Sequence, residues 1–184
     1  AVLAGLSVSS ATLEKFGQRH RTFLSKRFDR NLIGGLQTRR HFASAMTMLG
    51  HIDGTDYRDG TDYRNGASYL GIVEFLCQNS ADVDTDLEEL WRRIVFSICV
   101  SNTDDHLRNH GFLLEPGGWK LSPAYDLNPA PEGLGLSLNI SETDNSLSLE
   151  LALNVSEYFR IGQQRSRQIL NEVKAAVTGW NTVA

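Results

Sequence analysis

The sequence predicts an α+β fold, mainly α, and three observations predict it. Leu87, Leu90, Trp91, Ile94, Val95 and Ile98 fall at i, i+3, i+4, i+7, i+8 and i+11, one continuous apolar helical stripe. Residues 151–159 and 165–177 carry the same periodicity near the C-terminus. Two pairs of short β-rich runs are each separated by a Gly-containing turn, which reads as two hairpins.

In chain order, Val8, Thr12, Leu13 and Phe16 lead into Gly17-Gln18-Arg19-His20, and residues 22–28 follow as the second run of the first hairpin. Asp29-Arg30-Asn31 leaves that strand. Phe42, Ala45, Met46 and Leu49 then have helical spacing, so 38–49 is predicted as a helix, with Arg39, Arg40 and His41 on a solvated face rather than at a phosphate. Asp53-Gly54-Thr55-Asp56-Tyr57-Arg58 is repeated at once as residues 59–64. Two copies are too few for a solenoid, and the spacing lacks the terminal Glu of an EF-hand, so the repeat reads as a surface loop. A short amphipathic helix is expected over 69–77. The helix that ends near Val100 is expected to start at a capping box, Thr85-x-x-Glu88. The second hairpin pairs Phe112-Leu113-Leu114 with Trp119-Lys120-Leu121 across Glu115-Pro116-Gly117-Gly118.

The chain's 184 residues suit about one domain of ordinary globular composition, 41% hydrophobic and 22% charged, which excludes a disordered chain. Its net charge of −4 gives no general attraction to nucleic acid. Cys77 and Cys99 lack CxxC spacing and read as reduced core thiols of a cytoplasmic protein. No apolar stretch approaches the ~18 residues needed to cross a bilayer, so no membrane partner is expected. The first residue is Ala1 rather than Met, the expected mark of a fragment or a processed piece.

The densest polar cluster, Asn102-Thr103-Asp104-Asp105-His106-Leu107-Arg108-Asn109-His110, follows the best-marked helix directly. Three readings apply to it alone. His106 and His110 are four apart, but the Glu of HExxH is missing and Gly111 ends any helix, which argues against zinc. A solvated loop with capping Asp and Asn is the plain structural reading. The third rests on spacing: Asp104 and Asn109 stand at the D-x-x-x-x-N interval of a protein-kinase catalytic loop. There a carboxylate faces the nucleophilic hydroxyl and an amide oxygen meets Mg²⁺. Asp105 has the wrong interval, so Asp104 is the candidate base. Beyond the hairpin, Tyr125-Asp126-Leu127 sets a carboxylate where a kinase carries its second metal-binding Asp, although an ordinary strand end with an Asx-turn before Pro129 gives the same letters.

Together, residues 102–111 and Leu121-Ser122-Pro123-Ala124-Tyr125-Asp126-Leu127 closely resemble the HipA-like serine/threonine kinases, toxins of HipBA toxin–antitoxin modules. Leu24-Ser25-Lys26-Arg27-Phe28-Asp29-Arg30 resembles that family's hinge, with Lys26 in place of the usual Glu and Arg108 where Lys is frequent. The resemblance covers nearly the whole chain. It implies the C-terminal lobe of a protein-kinase-like, HipA-type fold. Residues 1–30 would be the hinge and last strands of an N-terminal lobe. Residues 31–184 would be the helical lobe, with catalytic loop 102–111 and metal-binding segment 121–129.

The resemblance also implies roles. Asp104 would be the catalytic base, and Asn109 and Asp126 the Mg²⁺ ligands. ATP would lie against Lys26, Arg27, Phe28 and Asp29 at the hinge, against His106, Leu107, Arg108 and Asn109 along the phosphates, and beside Tyr125, Asp126, Leu127 and Asn128. A HipB-like antitoxin would be the partner, with DNA reached only through it. The substrate would be a protein hydroxyl, for which the family offers an aminoacyl-tRNA synthetase. The sequence contains neither a G-x-G-x-x-G run nor a Val-Ala-Ile-Lys strand, so an N-terminally truncated kinase is expected, weak in turnover by itself. The alternatives are a catalytically inactive lobe that binds an antitoxin or other partner, and an unrelated helical binding domain.

Overall fold

The computed structural model describes residues 1–52, 66–130 and 133–178; the duplicated hexapeptide lies outside them. Strand β1 (Ala11–Glu14) pairs antiparallel with β2 (Thr22–Ser25), Leu13 facing Phe23. Strands β3 (Arg30–Ile33) and β4 (Leu36–Arg39) form a second ribbon. The third sheet runs β5 (Phe42–Ser44), β6 (Gly111–Glu115), β7 (Gly118–Leu121), all antiparallel. The helices are α1 (Ala45–Met48), α2 (Tyr69–Asn79), α3 (Val83–Val100), α4 (Leu149–Asn154) and α5 (Gln163–Val177). No described helix is long and apolar enough to cross a membrane.

The apolar stripe of α3 forms the middle of the core: Leu87, Leu90, Trp91, Ile94 and Val95 are fully buried. Helix α5 lays Ile169 and Val173 into the same core, and the indole N–H of Trp91 donates to the Ala152 carbonyl of α4 at 2.9 Å. On the other side Phe75 of α2 meets Phe112 of β6, ring centroids 4.4 Å apart. Burying aromatic and β-branched side chains at this density is what fixes α3, each worth roughly 1.5–3 kcal/mol of transfer free energy.

Five expectations are corrected. Helix 38–49 is mostly strand: Phe42 and Ser44 pair with Leu113 and Gly111, and only the single turn α1 is helical. The ladder partners supplied by β6 outweigh a spacing that one helical turn already satisfies. Arg40 therefore lies on no helix face; it ion-pairs with Glu115, while His41 packs against Trp119. Helix α3 begins at Val83, two residues before the expected cap, and Glu88 is held by Arg165 at 3.0 Å instead of reaching back to Thr85. Residues 151–159 break into α4 and a 3₁₀ turn, Ser156–Phe159, closed by Arg160 in the left-handed region. Cys77 is exposed on α2 rather than buried in the core, and Cys99 is half-buried.

Candidate active site

Helix α3 ends in a Schellman turn. Ser101 adopts φ 54°, its N–H bonds to Ile98, and the Asn102 N–H reaches the Ser97 carbonyl at 2.9 Å. A left-handed serine carries backbone strain of about 1–2 kcal/mol, and here it turns a buried helix abruptly into the polar cluster. Thr103 Oγ1 donates to the Ala130 carbonyl at 2.9 Å, and Ser137 Oγ to the Thr103 carbonyl, also at 2.9 Å. The loop is thereby tied to the segment beyond the second hairpin.

Within the cluster the two adjacent carboxylates point oppositely. Asp104 is exposed; Asp105 is 2% exposed. Tyr69 Oη donates to Asp105 Oδ2 at 2.6 Å, and His110 Nε2 lies 3.0 Å from Oδ1. Burial pushes the Asp105 carboxyl up, but His110, Tyr69 and Arg93 outweigh it and hold the group below its ordinary value. The Tyr69 phenol is driven well above its own, by burial first and by the Asp105 charge second. Leu107–Asn109 makes a 3₁₀ turn in which the Asn109 N–H donates to the His106 carbonyl at 2.8 Å. Asn109 Nδ2 donates to the Asp104 carbonyl at 3.4 Å, so Oδ1 is the atom it turns elsewhere. Leu107 is in the core, so any phosphate contact it makes is through its backbone. His106 is buried, and burial with the nearby Arg108 charge lowers its pKa, keeping the imidazole neutral at pH 7.

The second segment is fixed from three sides. Arg93 Nη2 donates to the Ser122 carbonyl at 2.7 Å, the Ser122 N–H to Gly111 at 2.8 Å, and the Ala124 N–H to the Ser7 carbonyl at 2.7 Å. Asp126 stands in the left-handed region, φ 57°, and accepts from Asn128 Nδ2 at 2.6 Å. Such a conformation for a non-glycine residue is uncommon and clusters at functional sites.

A cleft of about 1100 Å³ brings the hinge-like residues Lys26, Arg27, Phe28 and Asp29 opposite Tyr125, Asp126, Leu127 and Asn128. Asp104, His106, Leu107, Arg108 and Asn109 do not line it; Tyr125 Oη links their loop to it by donating to the Arg108 carbonyl at 2.6 Å. Tyr125 also stacks on Phe28, centroids 5.8 Å apart, and burial pushes its phenol up to about 12. Asp126 and His106 are close enough for the carboxylate charge to act on the imidazole. Asp29 is held by Arg27 Nε and Nη2 at 2.8 and 2.7 Å and by Arg30 at 3.1 Å, and its carboxyl lies below the ordinary value mainly through the Arg27 bonds.

Three contributors escaped the sequence reading. Phe42 enters the cleft from β5, Tyr69 anchors the buried side of the loop, and Arg93 braces the segment before Tyr125. Only Arg93 gave a signal: with Arg92 it sets charge between Trp91 and Ile94 of the apolar stripe.

A magnesium ion suits the donor set on chemistry, since a carboxylate and an amide oxygen are hard ligands. The Nδ2 bond of Asn109, which does not use Oδ1, fits that role. Among the described residues no cluster of three or more His, Cys, Asp or Glu is placed to hold a metal on its own, and His110 is engaged with Asp105.

The mixed α+β fold matches HipA and kinase-like structures. Residues 1–180 match the family described as the HipA-like C-terminal domain, and the chain belongs to that family. No curated protein sequence matches it. Its structure is similar to HipA of Shewanella oneidensis MR-1, solved in a complex with HipB and operator DNA: TM-score 0.75, 23% identity, 94% of this chain covered. The chain spans 44% of the length of that HipA. It is also similar to the proinflammatory kinase CtkA of Helicobacter pylori: TM-score 0.56, 11% identity, covering 99% of this chain and 76% of the other.

Proposed function

We propose that this chain is the hinge (1–30) and helical lobe (31–184) of a HipA-like serine/threonine kinase that moves the γ-phosphoryl of ATP to a protein hydroxyl. The observation that carries the reading is one cleft with Lys26–Asp29 on one wall and Tyr125–Asn128 on the other, bonded through Tyr125 to the loop of Asp104 and Asn109. Phe28 and Tyr125 supply aromatic faces for an adenine ring. Asp104, exposed on that loop, takes the proton of the attacking hydroxyl. Asn109 and Asp126 would hold Mg²⁺, which when bound neutralises charge on the phosphate oxygens. Arg108 adds a further cation near the phosphates.

Complete activity also requires a phosphate-binding loop and a lysine that these 184 residues do not include. A HipB-like antitoxin, acting in the cytoplasm, is the proposed partner, supported by the complex in which the Shewanella HipA was solved.

Calorimetry tests the reading. The chain is expected to bind Mg·ATP, and Asp126→Ala to weaken that binding by about tenfold or more. In a protein carrying the complete nucleotide site, Asp104→Asn is expected to leave nucleotide affinity near wild type while phosphoryl transfer falls roughly 10²–10⁴-fold. Binding that is indifferent to Mg²⁺ and to Asp126 would overturn the assignment.

A further inference from the structure

Beneath the loop that carries Asp104 and Asn109 lies a polar network for which the proposed chemistry has no use. Its centre is the Asp105 carboxylate. Tyr69 at the start of α2 donates to it at 2.6 Å, Ser97 of α3 lies at 3.4 Å, and His110, just before β6, stands 3.0 Å away. The Tyr69 ring also meets the His110 ring edge-on, centroids 5.6 Å apart and planes at 85°. Three separate elements thus converge on one side chain that is 2% exposed.

Stability alone does not call for this arrangement. Burying a carboxylate is costly, and well-packed apolar residues stabilise a core as well as or better than buried charge. What the network does uniquely is set the geometry of the loop above it. Asp105 follows Asp104 directly, and His110 follows Asn109 directly, so the buried Asp105–His110 contact closes the loop from below. The Asn109 Nδ2 bond to the Asp104 carbonyl joins the two flanking residues as well.

We propose that Asp105, clamped between Tyr69 and His110, is a positioning residue that places Asn109 for Mg²⁺-dependent nucleotide binding. The inference rests on the kinase reading above. Tyr69→Phe is the sharpest probe, because it removes one hydroxyl and keeps the ring. In the full-length protein it is expected to speed exchange of the Asn109 amide, a signal that needs no nucleotide, and to weaken Mg·ATP binding about tenfold. Affinity for ATP without Mg²⁺ is expected to stay unchanged. Asp105→Asn, which keeps the shape and an acceptor for Tyr69, is expected to recover most of the Mg·ATP affinity that Asp105→Leu loses. Should Tyr69→Phe fail to fold, His110→Gln carries the same test from the other side of the clamp. A folded variant with faster Asn109 exchange but wild-type Mg·ATP affinity overturns the positioning role alone. Wild-type protein that binds no Mg·ATP overturns the kinase reading, and this role with it.

Discussion

Gly111 shows how closely the cleft is packed around single residues. It opens β6 directly after the polar loop, and a Cβ added there would stand 2.2 Å from the Phe42 ring and 3.2 Å from Tyr125 Oη. Phe42 and Tyr125 both line the cleft, and Tyr125 holds the Arg108 carbonyl. Gly111→Ala is therefore expected to displace the Phe42 ring and loosen the Tyr125–Arg108 bond, at about 1–3 kcal/mol for overpacking. A thermal melt reads the first effect, and Mg·ATP calorimetry reads a weaker site. An unchanged melt would mean that Phe42 swings aside freely. At this scale the sequence told part of the story. The D-x₄-N interval singled out Asp104 over Asp105, and the structure leaves one exposed and buries the other. It could not show that Asp105 has Tyr69 as a partner, because a contact 36 residues away leaves no local signal.

Between elements, the clearest example is the junction of α3 with β7. Asp86 Oδ2 accepts the Leu121 N–H at 2.9 Å and the Ser80 hydroxyl at 2.8 Å, which pins the strand leading into Ser122 and Tyr125. Burial raises the Asp86 pKa despite both bonds. A carboxyl with its folded pKa above the unfolded value contributes stability that is fully present below the unfolded pKa of ~3.9. That contribution is lost as pH rises through the folded value. Asp86→Asn keeps an acceptor for both donors without the charge. It is expected to melt at or above the wild-type temperature at pH 7, and the two melting temperatures are expected to converge as pH falls toward 4. Asp86→Ala, which strands the Leu121 N–H, should cost roughly 1–3 kcal/mol at any pH. Convergence in the opposite direction would show that Asp86 is held charged.

Element identity was legible where burial imposes a long period, as in α3 and α5, and where a Pro-Gly-Gly turn separates β6 from β7. The β3–β4 ribbon was missed although its signal was present. Gly34 and Gly35 have φ 58° and 82°, the pair of left-handed residues that a two-residue hairpin requires, with Ile33 facing Leu36 across it. Residues 122–130 and 133–147 have no period to read, since bonds to Arg93, Ser7 and Thr103 set their course rather than a repeating face.

Across the whole molecule, stability is divided unevenly. The core around Trp91 is closed on all sides, whereas every residue of β1 and β2 is exposed, Phe23 at 68% and Leu13 at 55%. Among the described residues neither the β1–β2 nor the β3–β4 ribbon pairs with another sheet, and isolated two-stranded ribbons are marginal in water. Between the two ribbons Phe28 packs on Phe42 and Tyr125, and the Arg40 N–H bonds to the Asp29 carbonyl. The fold class followed from composition and periodicity; this imbalance did not, because alternating apolar residues read the same whether a face is covered or open. Native-state hydrogen exchange is expected to find β1–β4 amides opening locally, roughly 10³-fold or more faster than those of Trp91–Val95, which open only with the core. Trypsin is expected to cut first at Arg19 and Arg21 in the exposed β1–β2 turn. Under the kinase reading Mg·ATP spans the hinge and the Asp126 segment, so it should slow exchange at 25–29 and leave the β1–β2 turn unaffected. Uniform protection of ribbons and core would instead mean that the ribbons fold as one cooperative unit with the helices, and that the hinge is as rigid as α3.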